Sequence, residues 1–279
     1  MICYVIMTYM RCRRLLALSA TAWLLSIPAL AGDVFGRILL PLTTFSNVPG
    51  AYGSSWTSTF TGRTEQIPIQ ITQTPVGSGC VGICQTSAFT TFKMVVAPGD
   101  VNRGAFVYVS PADAIKTVTF ALRIQDVSRQ ASTWGTSVPV VREEDVRTST
   151  IELLDLPRSD RFRVALRIYD FDSDADRAVR LRVFYPVAQF DQNPVVDVVL
   201  PLNRITSPQP TEFPAVPSVI FIGDLYSQFP EIMNAAPPQP EVDRRIRVQL
   251  DPAAPNLRFW AFASVTNNET QHVTVIPPK

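Results

Sequence analysis

Hydrophobic and polar positions alternate in short runs along most of the chain, which is the pattern of β-strands with one buried face. The clearest case is the stretch 161–185, where every second position from 162 to 168 is apolar and a second run follows over 178–184. Two such runs joined by a polar turn predict a β-hairpin, with the turn 170–176 exposed. The apolar positions should face a core, and the opposite face should carry Arg161, Arg163 and Arg167.

The other apolar runs are also short, and they are separated by turn signals and by many of the chain's 24 prolines. This organisation predicts an all-β protein made of two antiparallel, immunoglobulin-like β-sandwich lobes in tandem, over residues 32–144 and 145–279. At most one short helix is expected, over 224–233, with Asp224 as its N-cap and Pro230 limiting its length.

The two lobes share a pattern of strands and turns. Pro111 and Pro252 are 141 positions apart, and Pro139 and Pro277 are 138 apart in matching contexts. Near-equal offsets of this kind indicate a duplicated unit of about 140 residues.

Residues 1–31 read as a signal peptide. An arginine cluster precedes an apolar run over 15–30, which ends in the small-residue sequence A-L-A before Gly32. A membrane anchor is the alternative, although about 16 apolar residues fall short of the ~20 that span a bilayer. Translation could start at Met1 or at Met10. The chain is therefore expected to be exported, to the periplasm, the cell surface or the medium, with no membrane span after cleavage.

Charge gives little indication of a partner. Cleavage would remove three arginines and no acid, leaving 22 basic and 24 acidic residues. This balance gives no reason to expect nucleic acid or an anionic membrane surface as a partner. A protein or a glycan at the cell surface is the partner class that remains.

Two cysteines, Cys80 and Cys84, remain after the leader, in the run GSGCVGICQ. An oxidising compartment favours a disulfide between them, because five residues with flanking glycines can bring them within bridging distance. A zinc pair and a reactive dithiol are the alternatives. Zinc would need more ligands than one histidine supplies, and the redox motif has two intervening residues rather than three.

The acidic turn is a weak candidate for a calcium site, because alternate aspartates can converge their oxygens on Ca²⁺. However, Ala175 occupies the EF-hand glycine position and Leu181 the final glutamate position. A solvated turn is the simpler interpretation. No other cofactor is expected. The four candidate ligands are Asp170, Asp172, Asp174 and Asp176.

Catalytic patterns are absent from the sequence. His272 is the only histidine, and no nucleophile elbow or phosphate-binding glycine loop occurs. A histidine-independent hydrolase could use two carboxylates, for which Glu143, Glu144 and Asp145 are adjacent acids. Adjacent acids in a loop are more typical of a solvated surface, so a non-enzymatic protein is expected.

Aromatic residues in loops are the better ligand candidates. Tyr52 and Trp134 lie in turn-rich stretches, where a ring can stack on a sugar or pack a strand end. Trp56, at period two from Phe60, is more typical of a core residue.

Three segments resemble recurring parts of uncharacterised secreted bacterial β-sandwich proteins: NVPGAYGSSW at 47–56, DRFRVALRIYD at 160–170 and FWAFASVTNNET at 259–270. Those proteins carry a PGA-x-GS-x-W loop, an R-T-N-L-G-L-like strand and an A-Y-A-S-V-x-D-N-x-T-G-D stretch. Here Asn267 replaces the Asp, and Gln271 and His272 replace the Gly-Asp pair. The strand motif has Val164-Ala165 in place of Asn-Leu. The resemblance implies a secreted β-sandwich and no known activity.

Three functions follow as hypotheses. The first is a secreted or cell-surface, non-enzymatic structural or interaction protein. The second is a carbohydrate-binding module that uses Tyr52 and Trp134, and the third is the histidine-independent hydrolase.

Overall fold

The protein is all-β in a computed structural model that describes residues 35–44, 47–50, 53–65, 68–73, 86–94, 103–128, 134–185, 193–206, 214, 216–234 and 245–279. Phe35–Lys279 form one compact unit. The leader, Tyr52, Cys80 and Cys84 lie outside the described residues.

The strands are β1 (Gly36–Leu40), β2 (Val48–Pro49), β3 (Ser55–Thr64), β4 (Gln70–Thr72), β5 (Thr91–Met94), β6 (Ala105–Ser110), β7 (Val118–Asp126), β8 (Thr136–Val138), β9 (Val141–Arg142), β10 (Ile151–Pro157), β11 (Phe162–Asp170), β12 (Arg177–Phe184), β13 (Val196–Leu202), β14 (Ser218–Ile222), β15 (Arg245–Pro252), β16 (Phe259–Asn267) and β17 (Val273–Ile276).

These strands form four antiparallel sheets within the described residues. Sheet 1 has the order β4-β6-β1-β9, and sheet 2 has the order β2-β3-β7-β8 with β5 also paired to β3. Sheet 3 has the order β14-β11-β16-β17, and sheet 4 has the order β10-β15-β12-β13.

One order of seven strands occurs twice. In sheet 2 the order β5-β3-β7-β8 matches β14-β11-β16-β17 in sheet 3, and in sheet 1 the order β4-β6-β1 matches β12-β15-β10 in sheet 4. The matched strands follow each other along the chain in the same sequence, which supports a duplicated unit. The immunoglobulin-like assignment stays a prediction.

Helical structure is limited to single turns in the described part of the chain. The expectation of at most one helix is wrong, because Leu225–Gln228 and Glu231–Asn234 form two separate turns. Pro230 lies between them, where its missing N–H and its ring interrupt a continuous helix. Asp224 is the N-cap, as predicted, since its side chain accepts a hydrogen bond from the Tyr226 N–H. Two 3₁₀ segments cover Ala112–Lys116 and Glu143–Asp145.

None of the helical segments described is long and apolar enough to cross a membrane.

The predicted hairpin is wrong in its pairing. Strand β11 pairs with β14 and β16 in sheet 3, whereas β12 pairs with β13 and β15 in sheet 4. The two strands lie in opposite sheets, and their apolar side chains meet across one core. Alternation specifies which face of a strand is buried, but it does not specify the neighbouring strand. A pair that faces across a core therefore has the same pattern as a hairpin.

The turn between β11 and β12 is only partly exposed, unlike the prediction. Asp174, Ala175 and Asp176 are exposed, but Asp170 and Phe171 are fully buried. The Phe171 ring packs edge-on to Phe106 of the first half, with 5.5 Å between ring centroids. The turn is buried there because it crosses between sheets beside the first half of the chain.

Two hydrophobic cores lie within Phe35–Lys279. One core fills the space between sheets 3 and 4, and takes in Val164, Leu166 and Ile168 as predicted. The other core includes sheets 1 and 2 together with residues of the second half, namely Tyr169, Phe171, Trp260, Phe262 and Val273. Sheet 3 is thus buried on both faces, and its outer face is the one that packs against the first half. The domain boundary at 144/145 stays a prediction.

Ion pairs also join the two halves. Arg37 donates through Nε to Glu143 at 2.8 Å and through Nη1 to the Phe171 carbonyl at 2.7 Å. Arg258 donates to Asp172 at 2.9 Å and pairs with Glu143. This network holds the β11–β12 turn against the first half.

Leu166→Ala tests the place of β11 in the second core. Leu166 is 1% exposed, so removing its side chain should lower the free energy of unfolding by ~2–5 kcal/mol. Val199→Ala is the matched control, because Val199 is 56% exposed on β13 and its loss should cost ~0.5 kcal/mol or less. Urea denaturation measures both variants. Equal losses would contradict the burial of this β11 face.

Candidate functional site

Trp134 is the most exposed large hydrophobic residue described, at 84%. The Arg123 guanidinium lies 5.3 Å from its ring centroid and donates to the Trp134 carbonyl at 3.3 Å. The ring is therefore supported on one side and open to solvent. Its predicted partner Tyr52 lies outside the described residues, as do Cys80 and Cys84, so the paired platform and the disulfide stay predictions.

The four aspartates of the acidic turn have cationic or backbone partners. Asp170 and Asp174 both accept from Arg177, at 2.8 and 2.6 Å, and Asp176 accepts from the Arg204 N–H at 2.9 Å. Burial raises the pKa of Asp170, whereas the hydrogen bond from Arg177 lowers the pKa of Asp174. Asp172 pairs with Arg258. Across the described ranges, no group of three or more His, Cys, Asp or Glu side chains could hold a metal ion.

The candidate catalytic residues do not come together. His272 is exposed in the turn before β17, and its backbone N–H donates to the Thr270 hydroxyl. Glu143 and Glu144 are exposed in a 3₁₀ turn, where Glu143 pairs with Arg37 and Arg258.

A cavity that sequence reasoning missed lies between sheet 2 and the outer face of sheet 3. It has a volume of about 330 Å³ and is partly open to solvent. One side is formed by β11 and β16, and the other by Leu42 and Thr44, by β2 and by the first residues of β3.

The floor of the cavity follows from the register of β11 on β16. Arg163 pairs with Thr266, Ala165 with Ser264 and Arg167 with Phe262. Alternate residues of a strand point to one face, so the two arginines flank Ala165, with Cα atoms about 13 Å apart. The small alanine leaves space between two long cationic side chains. The hydroxyls of Ser264 and Thr266 lie beside it on β16.

Arg167 is buried, and the described residues supply no counter-ion for it. It is 8% exposed, its Nη1 donates to the Ser264 hydroxyl at a long 3.4 Å, and its Nε has no hydrogen-bond partner. The guanidinium carbon lies 4.3 Å from the Phe221 ring centroid and 5.7 Å from that of Phe262. Burial lowers the pKa of Arg167, but a guanidinium keeps its proton in proteins.

Several other arginines in the described chain have carboxylate partners. Arg180 binds Asp197 through two hydrogen bonds of 2.6 Å, although it is far more exposed than Arg167. Neither Arg167 nor the half-buried Arg163 has a described Asp or Glu oxygen within 4 Å. An unpaired buried charge is costly, and such strained electrostatics are typical of functional sites.

Trp56 forms part of the opposite wall. The residue is half-buried, packs against the first core and also lines the cavity, so its predicted core role is only part of its environment. Its indole N–H donates to the Ser54 hydroxyl at 2.9 Å. Gly50 approaches the ring so closely that a Cβ there would lie 2.6 Å from the indole nitrogen. Gly50 therefore leaves no room for a side chain beside the tryptophan.

The rest of the lining is mainly apolar. Besides Trp56 and Phe221, the lining includes the apolar residues Leu42, Val48, Pro49, Ile124 and Val273. The cavity therefore combines a cationic floor with apolar and aromatic walls.

No family model, curated protein or solved structure matches the chain.

Asp172→Asn separates a calcium loop from an ion-paired turn. The change removes the charge that pairs with Arg258, so it should lower the free energy of unfolding by ~0.2–1 kcal/mol, equally with calcium and with a chelator. Thermal melts of parent and variant in both conditions measure this. A calcium-dependent rise in the parent Tm that the variant lacks would show that the turn binds calcium.

Proposed function

We propose that the protein is an exported, non-enzymatic binding protein and that the cavity between sheets 2 and 3 is its ligand site. The observation that carries the proposal is a cavity of about 330 Å³ whose floor holds a buried arginine with no counter-ion among the described residues. This volume lies at the lower end of the range for small-molecule sites.

The change in chemistry along sheet 3 argues against a simple packing defect. Tyr169, Trp260 and Phe262 make its outer face aromatic where the first half packs on it. The same face becomes polar at Ser264 and Arg163, where the cavity lies. Protein interiors are densely packed, and an accidental void would be expected to keep an apolar lining.

The three segments that carry the family resemblance all contribute to this cavity. Pro49 and Trp56 come from the first, Arg163 and Arg167 from the second, and Ser264 and Thr266 from the third. Segments that are far apart in the chain thus supply one site.

The lining supports binding rather than catalysis at this site. Its described residues include no Asp, Glu, His or Cys, so they offer neither a general base nor a thiol nucleophile. The described lining therefore offers no carboxylate pair for the hydrolase hypothesis. The proposal that the protein is exported is based on the leader sequence.

A carbohydrate-binding role is the second candidate, and the exposure of Trp134 favours it. An exposed ring held by a cation beneath can stack on a sugar face. This surface is separate from the lining of the cavity, so the two roles can be tested independently.

Trp134→Ala tests the carbohydrate role. If Trp134 stacks on a sugar, a glycan array should show binding by the parent and by Trp134→Phe, which keeps an aromatic face, and loss of binding in Trp134→Ala. Equal binding by all three proteins, or by none, would reject Trp134 as a sugar platform.

Ala165→Leu tests the cavity. Added methyl groups on the floor should occupy the space between the two arginines, so compounds that raise the parent Tm should lose their effect. A thermal-shift screen of small molecules measures this, with Ala175→Leu in the exposed part of the turn as the matched control. Circular dichroism checks the fold of both variants. If every hit stabilises Ala165→Leu as well as the parent, or if no compound binds, the cavity is not the ligand site.

A further inference from the structure

We infer that the ligand of this cavity is a small monocarboxylate with an aromatic or branched apolar body, held at its carboxylate by Arg167 with Arg163 as the second cation. The inference rests on the proposed function and names the ligand class of the same site.

The first argument is the unused hydrogen-bonding capacity of Arg167. A guanidinium has five N–H donors in a planar fork, and the described contacts of this one are a single long hydrogen bond and two aromatic faces. The fork matches the two oxygens of a carboxylate, and charge-assisted hydrogen bonds of this type are the strong ones.

The second argument is the sign of charge in the cavity. Arg163 and Arg167 line it, and no acidic residue does so among the described residues. Low-dielectric walls concentrate the field of two such charges and attract an anion. The Ser264 hydroxyl, which already accepts from Arg167, can donate its own proton to an anion.

The third argument is the shape and polarity of the remaining space. Trp56 and Phe221 are aromatic, and Val48 and Ile124 are aliphatic. A fully hydrated inorganic anion would leave these surfaces uncovered. A carboxylate on an apolar body would satisfy the floor and the walls together, and the volume limits that body to about the size of one aromatic ring with a short chain.

If Arg167 had a purely structural role, Arg167→Met would lower the Tm of the free protein. The unpaired burial of its charge predicts the opposite. A buried charge without a partner destabilises the folded state, and apolar residues of similar volume are often neutral or stabilising in its place. Arg167→Met should therefore keep or raise the Tm of the free protein while it removes anion binding. Such an opposition between stability and binding is characteristic of a functional residue.

The test is a calorimetric titration of the purified protein with 3-phenylpropionate and with the matching neutral amide. The acid should bind at least tenfold more tightly than the amide, because a hydrogen bond from a guanidinium to a carboxylate joins two charged groups and is stronger than one to a neutral amide. N-acetylphenylalanine is a third probe, and it distinguishes a free acid from the carboxyl end of a peptide chain as the source of the carboxylate.

Three variants complete the design. Arg167→Met and Arg163→Met should each weaken acid binding, Arg167→Met by at least tenfold, and should leave amide binding unchanged. Arg147→Met is the matched control, because it removes an equal charge from an exposed position outside the cavity lining. It should leave both affinities unchanged. If Arg167→Met fails to fold, Arg163→Met and the acid-to-amide ratio still decide the question.

The failures are distinguishable. Equal affinity for acid and amide, both abolished by Ala165→Leu, would overturn the carboxylate inference and keep the cavity as a binding site. Loss of acid binding in Arg147→Met as well would show a non-specific charge effect and overturn the inference. No binding of any acid, while neutral compounds from the thermal-shift screen bind, would also overturn it. No binding by either group would remove the proposed function itself.

Discussion

The pairing of β11 with β16 is the constraint on which the rest of the structure depends. Nine residues pair in an unbroken antiparallel register from Phe162–Asn267 to Asp170–Phe259, and both faces of the pair are covered. Because side chains alternate, one register assigns Leu166 and Ala263 to the second core and Tyr169 and Phe262 to the first. A slip of one residue would exchange these sets. The two halves are therefore joined through one sheet.

The same register creates the cavity. Ala165 falls between two arginines and opposite Ser264, so sheet 3 cannot make a dense contact with sheet 2 at this point. The unfavourable free energy of burying a charge falls on Arg167, which has no acidic partner among the described residues. By contrast, the outer face of sheet 4 carries cross-strand pairs such as Arg182–Asp251 and Arg247–Glu152. Pairs of this exposure contribute little to stability, but they leave no charge uncompensated. Arginines on this surface are thus paired with acids, whereas Arg163 and Arg167 in the cavity have no carboxylate partner among the described residues.

Strand alternation was enough to predict the class of fold and much of the burial. Val164, Leu166 and Ile168 face a core and Asp224 caps a helical turn, because each of these depends on neighbours within a few residues. The repeated offsets likewise indicated the repeated strand order. These features are local or periodic, so they can be predicted from the order of the residues alone.

The partners across space could only be decided by the tertiary structure. Alternation placed Arg163 and Arg167 on the face opposite the core, where a solvated surface was the natural expectation, but the first half of the chain covers that face. For the same reason, the pattern predicted a hairpin for two strands that lie on opposite sides of a core. No local pattern states which sheet will cover a polar face, because that depends on contacts between residues more than a hundred positions apart. The cavity, its unpaired charge and its mixed lining therefore exist only once the fold has brought three distant segments together.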